Sequence, residues 1–276
     1  MSTPGGGRID VSTWIGPYPF REVPHPEPAI LAQRVLEREG FTGAWTGALP
    51  GAFHRDPNPS NGALYRALEP YRDRLNPAPV VRPDWPRWEA TLQEAVREGA
   101  HSVRAYPAQW GLGPRHPALA ELAIACGEAA LALHVTVRFE DLRQRHPMDV
   151  AGDVSAAVLR GIARLPGSRC HLVVAGAGRE LIEETHWGLT PAEQRRVWYD
   201  FGWTWGAPEE HFAHLVRTLS PERLAWGTFW PLRLTPQCRS LIDLLPEDVR
   251  ANAPYSAFAD GGRIARSARE SAGVSL

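Results

Sequence analysis

A strand-like run followed by a helix-like run recurs eight times along this chain, about every 30 residues, with no linker between the units. The strand candidates span 8–14, 42–46, 77–83, 102–107, 131–139, 169–175, 196–203 and 224–226. The fifth is the most telling: 131–139 is nearly continuous in apolar and β-branched residues, as a strand buried on both faces of a parallel sheet must be. Between the strands, apolar residues return at helical spacing, as at Ile30, Leu31, Val35 and Leu36 before the stop at Gly40. This alternation predicts an α/β fold, a single (β/α)8 TIM-type barrel over residues 1–276. An open doubly wound sheet is the competing solution, but it needs a Gly-rich turn after the first strand. Ser12-Thr13-Trp14-Ile15-Gly16 is not one.

Composition narrows the chemistry. All 30 Lys-or-Arg positions are Arg, so Schiff-base chemistry, a lysine nucleophile, a carbamylated-lysine metal bridge and a Walker A lysine are all absent. A formal net charge of −1 disfavours nucleic-acid and anionic-membrane surfaces. Three widely separated cysteines, Cys126, Cys170 and Cys238, suit neither a disulfide framework nor a Cys-rich zinc site. With no run of 18 apolar residues and no apolar segment near Met1, the expectation is a cytoplasmic protein; a homo-oligomer is compatible with it.

Three stretches resemble the amidohydrolase-related (amidohydrolase 2) family: Ile9-Asp10, Val197-Trp198-Tyr199-Asp200-Phe201, and Glu222-Arg223-Leu224 through Pro231. The resemblance implies the barrel and a hydrolase-type chemistry. It also shows what is altered. The family's first strand carries Ile-Asp-x-His-x-His facing one metal, and here the histidine positions are Ser12 and Trp14. Its eighth strand ends Gly-Ser/Thr-Asp-x-Pro, and here the aspartate position is Phe229 within Gly227-Thr228-Phe229-Trp230-Pro231. The fifth-strand end reads Thr136-Val137-Arg138, and the sixth-strand histidine falls near Ala175. Zinc and hard cations need N, O or S ligands at short range, which Trp, Phe and Ala do not supply. The expectation is therefore no metal and no other cofactor.

Residues two apart share a strand face, so Thr136, Arg138 and Glu140 align, as do Arg104 and Tyr106. If these faces point inward, two guanidinium groups and a carboxylate meet near the barrel mouth, where barrel chemistry sits. Arginine forks grip carboxylates in a bidentate manner, so a small acidic molecule is the expected ligand. The predicted site has Glu140, Asp141 or Asp200 as general base. Arg104, Tyr106, Arg138, Ser12, Trp14, Trp203 and Phe229 contact the substrate, with Arg21 and Arg82 adding to a positive funnel. Two alternatives stand beside this enzyme reading. The arginines pair internally, as Arg104–Glu140 or Arg138–Asp200, in a catalytically silent barrel serving as a binding or partner subunit; or His134, Asp10 and Asp200 rebuild a metal site. His134 reads either as an inward acid–base group or as a core histidine, and His211 with His214 as a solvated helix face. Trp14, Trp110, Trp203, Trp205, Phe229 and Trp230 cluster at strand ends, lining a pocket or filling the space of a metal and its water.

Overall fold

The computed structural model describes residues 8–24, 27–204 and 210–274, so Trp205 and the start of the seventh helix lie outside the described residues. Eight parallel strands run in chain order: β1 (Arg8–Ile15), β2 (Phe41–Ala48), β3 (Leu75–Pro77), β4 (Ser102–Ala105), β5 (Ala132–Thr136), β6 (His171–Ala175), β7 (Val197–Asp200) and β8 (Leu224–Ala225). They form one sheet of β1-β2-β3 and one of β4 through β8, each strand pairing with its sequence neighbour. Two seams close the ring. Arg104 N donates to Pro79 O at 2.8 Å and Val81 N to Arg104 O at 3.0 Å, joining the β3 segment to β4. Val11 N donates to Trp226 O at 2.9 Å and Trp14 N to Trp230 O at 2.8 Å, joining β8 to β1. The sheet is thus the barrel expected from the alternation.

The third strand departs from expectation for a local reason. Pro77, Pro79 and Pro83 have no N–H to give a ladder, so the regular strand shrinks to Leu75–Pro77 and pairing resumes only at Val80, opposite Arg104. Proline also trims the second long helix, Asn58–Leu68, which ends before Pro70. Short helices at Leu49–Phe53, Pro107–Trp110 and Pro191–Gln194 escape the periodicity reading because four or five residues hold too little of a 3.6-residue period.

Burial divides the interior into layers. Outward strand residues such as Leu133, Val135, Leu172, Val174, Val197 and Tyr199 pack in the main core with helix residues including Leu122, Leu159 and Ile182. Inside the ring, Val11, Trp45, Ala132, Val173, Trp198 and Ala225 form an apolar floor, sealed from below by Ile264 and Ala265 of the helix Gly261–Ala272. At the opposite, C-terminal end lies a second apolar layer rich in rings: Trp14, Tyr18, Tyr106, Phe139, Trp203 and Phe229. Between the two sits a polar layer.

Candidate functional site

Strand parity builds the polar layer. Asp10 and Ser12 of β1, Arg104 of β4, His134 of β5 and Asp200 of β7 are all buried. Arg104 reaches across the ring. Its Nη2 donates to the carbonyls of Val11, Thr13 and Trp45 at 3.3, 3.1 and 2.9 Å, and its Nη1 to His134 Nε2 at 3.3 Å. Its guanidinium carbon stacks 4.3 Å from the Trp14 ring centroid, in cation–π contact. Gly47 is required beside it, since a Cβ there would lie 2.6 Å from Arg104 Nε and 2.8 Å from its Cδ.

Since the guanidinium only donates, His134 Nε2 accepts from it, with the Ser12 hydroxyl 3.1 Å from the same nitrogen. Burial, and then the nearby Arg104 charge, hold His134 well below its ordinary pKa, so the ring is neutral. Asp10 accepts from Ser12 N at 2.9 Å and from the Thr228 hydroxyl at 2.6 Å, with Thr228 N at 3.2 Å. Burial raises it to about 6 against these hydrogen bonds. Asp200 accepts from Gly202 N at 2.9 Å and faces the Ser12 hydroxyl, with Gly227 so close that a Cβ there would collide with its Oδ2. Burial raises Asp200 to about 8, opposed by the Ser12 and Gly202 hydrogen bonds.

The aromatic layer caps this set. The Trp14 and Phe229 rings are 4.7 Å apart, Trp14 Nε1 donates to the Tyr106 hydroxyl at 3.0 Å, and Phe139 meets Tyr106 at 5.3 Å. Phe229 is held at φ +61°, a left-handed conformation unusual for a bulky residue. The described rings pack on one another, Trp14 on Phe229 and Trp203 on Phe229. Trp110 packs on Tyr106, and Trp230 belongs to the main core.

A cavity of about 500 Å³ opens between the segment after β5 and the segment after β8. Arg21, Phe139, Glu140, Gln144, Leu232 and Arg233 are among its lining residues. Arg21 Nε donates to Glu140 Oε1 at 2.5 Å and its Nη2 to Leu232 O at 3.0 Å. Arg233 lies 3.6 Å from the centroid of Trp203.

The predicted site residues therefore fall into three places. Ser12, Arg104 and Asp200 are in the sealed polar layer; Trp14, Tyr106, Trp203 and Phe229 are in the aromatic layer; Glu140 lines the cavity. Arg104 and Arg138, expected side by side, are not brought together. β5 ends at Thr136, and Arg138 sits at the rim, 3.0 Å from Asp153 and 5.7 Å from the Trp203 centroid. The expected internal pairs Arg104–Glu140 and Arg138–Asp200 are likewise replaced by Arg21–Glu140 and Arg138–Asp153. Asp141 lies in the loop with Arg143, whose hydrogen bonds hold its carboxyl at about 2, a weak proton acceptor at neutral pH. Arg82 pairs with Asp84. His214 pairs with Glu183 at the surface, and His171 stacks on Trp198. Sequence reasoning overlooked Arg233, Gln144 and Leu232. Position in a loop after a strand was the one available signal, because their convergence depends on how two loops fold over the mouth.

Among the described residues, no group of three or more His, Cys, Asp or Glu side chains is arranged to hold a metal ion. Trp14 and Phe229, at the positions where the resembling family places a histidine and an aspartate, are packed against each other. The donor set does not fit such an ion.

The fold is a parallel α/β barrel shared with solved structures of decarboxylases and hydrolases. Among solved structures the chain is similar to 5-carboxyvanillate decarboxylase from Sphingomonas paucimobilis, with a TM-score of 0.64 and 15% identity over 94% of this chain and 99% of that one. It is also similar to a probable 2-pyrone-4,6-dicarboxylic acid hydrolase from Acinetobacter baumannii with bound citric acid, at TM-score 0.56 and 15% identity over 97% and 100%. A dihydroxybenzoic acid decarboxylase from Polaromonas sp., solved with bound manganese and 2-nitroresorcinol, superposes at TM-score 0.63 and 9% identity over 96% and 97%. No family model and no curated protein matches the chain. No helix among the described residues is long and apolar enough to cross a membrane.

Proposed function

We propose that this chain is an amidohydrolase-like barrel that binds a small carboxylated molecule in the cavity at its mouth, as a binding or partner subunit. The observation that carries the reading is the separation of cavity from interior. Asp200 is fully buried and is not among the residues lining the cavity, so its carboxyl does not face the space where a ligand can sit. The cavity wall carries the Arg21 and Arg233 guanidinium groups and the Glu140 carboxylate beside the apolar faces of Phe139 and Leu232. That combination suits an acid group attached to an apolar body. Residues 1–276 are read as one barrel domain and the protein as cytoplasmic; three free, buried cysteines are consistent with a reducing compartment.

A second reading keeps the enzyme. In it the chain is a hydrolase or lyase working on the same acid without a divalent metal, with Glu140 moving the proton. It is favoured by Glu140 lying in the cavity wall, and by the decarboxylases and hydrolase that share the fold. Titration calorimetry with aromatic and aliphatic mono- and dicarboxylic acids, paired with NMR of the incubated ligands, separates the readings. Saturable binding that Arg233→Gln weakens about tenfold or more, with every ligand recovered unchanged, is the expected result. Turnover abolished by Glu140→Gln selects the enzyme. The absence of binding by any acid overturns both.

A further inference from the structure

The polar layer contains two carboxyls, a histidine and an arginine, all cut off from water, and such a set holds together only if its charges balance. The hydrogen bonds assign them. Asp10 accepts from Ser12 N, Thr228 N and the Thr228 hydroxyl, the surroundings of an ionised carboxylate. Asp200 accepts one backbone N–H and otherwise faces the Ser12 hydroxyl and the bare Cα of Gly227, the surroundings of a carboxyl that keeps its proton. His134 Nε2 accepts from Arg104, which can only donate, so its ring is neutral. The one positive charge is Arg104, and the one negative charge is Asp10.

We infer that the Arg104 guanidinium is the resident cation of this barrel, donating directly to His134 and to backbone carbonyls and placing the positive charge that balances the Asp10 carboxylate without touching it. Five features support the assignment. The group is fully buried. It donates to carbonyls on two strands, β1 and β2, and to His134. It stacks on Trp14, the residue at a ligand position of the resembling family. Gly47 leaves room for it, since a Cβ there would lie 2.6 Å from Arg104 Nε. Finally, no three-ligand group lies among the described residues. A divalent ion entering this layer would face the guanidinium as a like charge, with at most two carboxylates to offset both. The inference is independent of what the mouth cavity binds.

The test begins with the wild-type protein, produced in medium supplemented with zinc, manganese and iron and then desalted. Elemental analysis should find substoichiometric metal, and neither chelator nor added divalent ions should shift the melting temperature. About one equivalent of metal that survives desalting, with a melting temperature lowered by chelator, overturns the proposal. Three variants probe the cation itself: Arg104→Met, Asp10→Asn, and the two combined. If Arg104 balances Asp10, the double variant is more stable than Arg104→Met alone, because the stranded carboxylate is gone. A double variant no better than the two single losses added together refutes the assignment. Should Arg104→Met fail to fold, recovery of a folded double variant and the wild-type metal analysis still decide.

Discussion

Asp200→Asn should make the protein less sensitive to rising pH, by an amount that follows from where Asp200 sits. Its carboxyl is fully buried, and burial lifts it from an ordinary value of 3.8 to about 8. The folded chain thus holds this proton to a higher pH than the unfolded chain does. Stability tied to the group is complete below 3.8 and is lost as pH rises through about 8. One proton corresponds to about 1.4 kcal/mol per pH unit, so the roughly three units up to pH 7 amount to about 4 kcal/mol. Asp10, raised to about 6, contributes at the lower end of the same range, so the clean window is pH 6 to 8. Asparagine keeps the shape, can still accept from Gly202 N, and has nothing to ionise. Urea unfolding at pH 6, 7 and 8 should show the wild type losing roughly 2–3 kcal/mol more than the variant across that window. Parallel curves for the two proteins, or a steeper fall in the variant, would refute a buried protonated Asp200.

Substitutions at two further positions test the layers above and beside it. Gly47→Ala places a methyl group 2.6 Å from Arg104 Nε, where the guanidinium is held by three carbonyls and cannot swing away; thermal unfolding should report a loss of about 1–3 kcal/mol. At Phe229 the ring and the backbone make opposite demands. Phe229→Ala should cost about 3–5 kcal/mol through lost packing against Trp14 and Trp203. Phe229→Gly should be less damaging than Ala by about 1 kcal/mol, because φ +61° suits glycine. Alanine outperforming glycine in denaturant melts would count against the left-handed backbone.

Much of the architecture is legible in the chain alone. Unbroken apolar runs such as 131–139, set between helical periods, demand parallel strands covered by helices. Eight of them without a linker leave a closed ring as the economical way to remove both sheet edges. Parity along the strands likewise places Arg104 and His134 inside, because side chains alternate strictly between faces. Parity stops informing where the strand stops. Arg138 and Glu140 follow the period of two on paper, yet β5 ends at Thr136, and beyond it each backbone takes its own path. Which arginine meets which acid depended on those paths. Arg21, distant in sequence by 119 residues, reached Glu140, while Arg138 turned to Asp153. The substitutions at Ser12, Trp14 and Phe229 were visible from the start as missing ligands. That the rings would pack on one another, and that the Arg104 guanidinium would be fully buried beside Trp14, came from packing. Burial in a shared dry layer couples groups that lie far apart along the chain, and that coupling exists only once the barrel has closed.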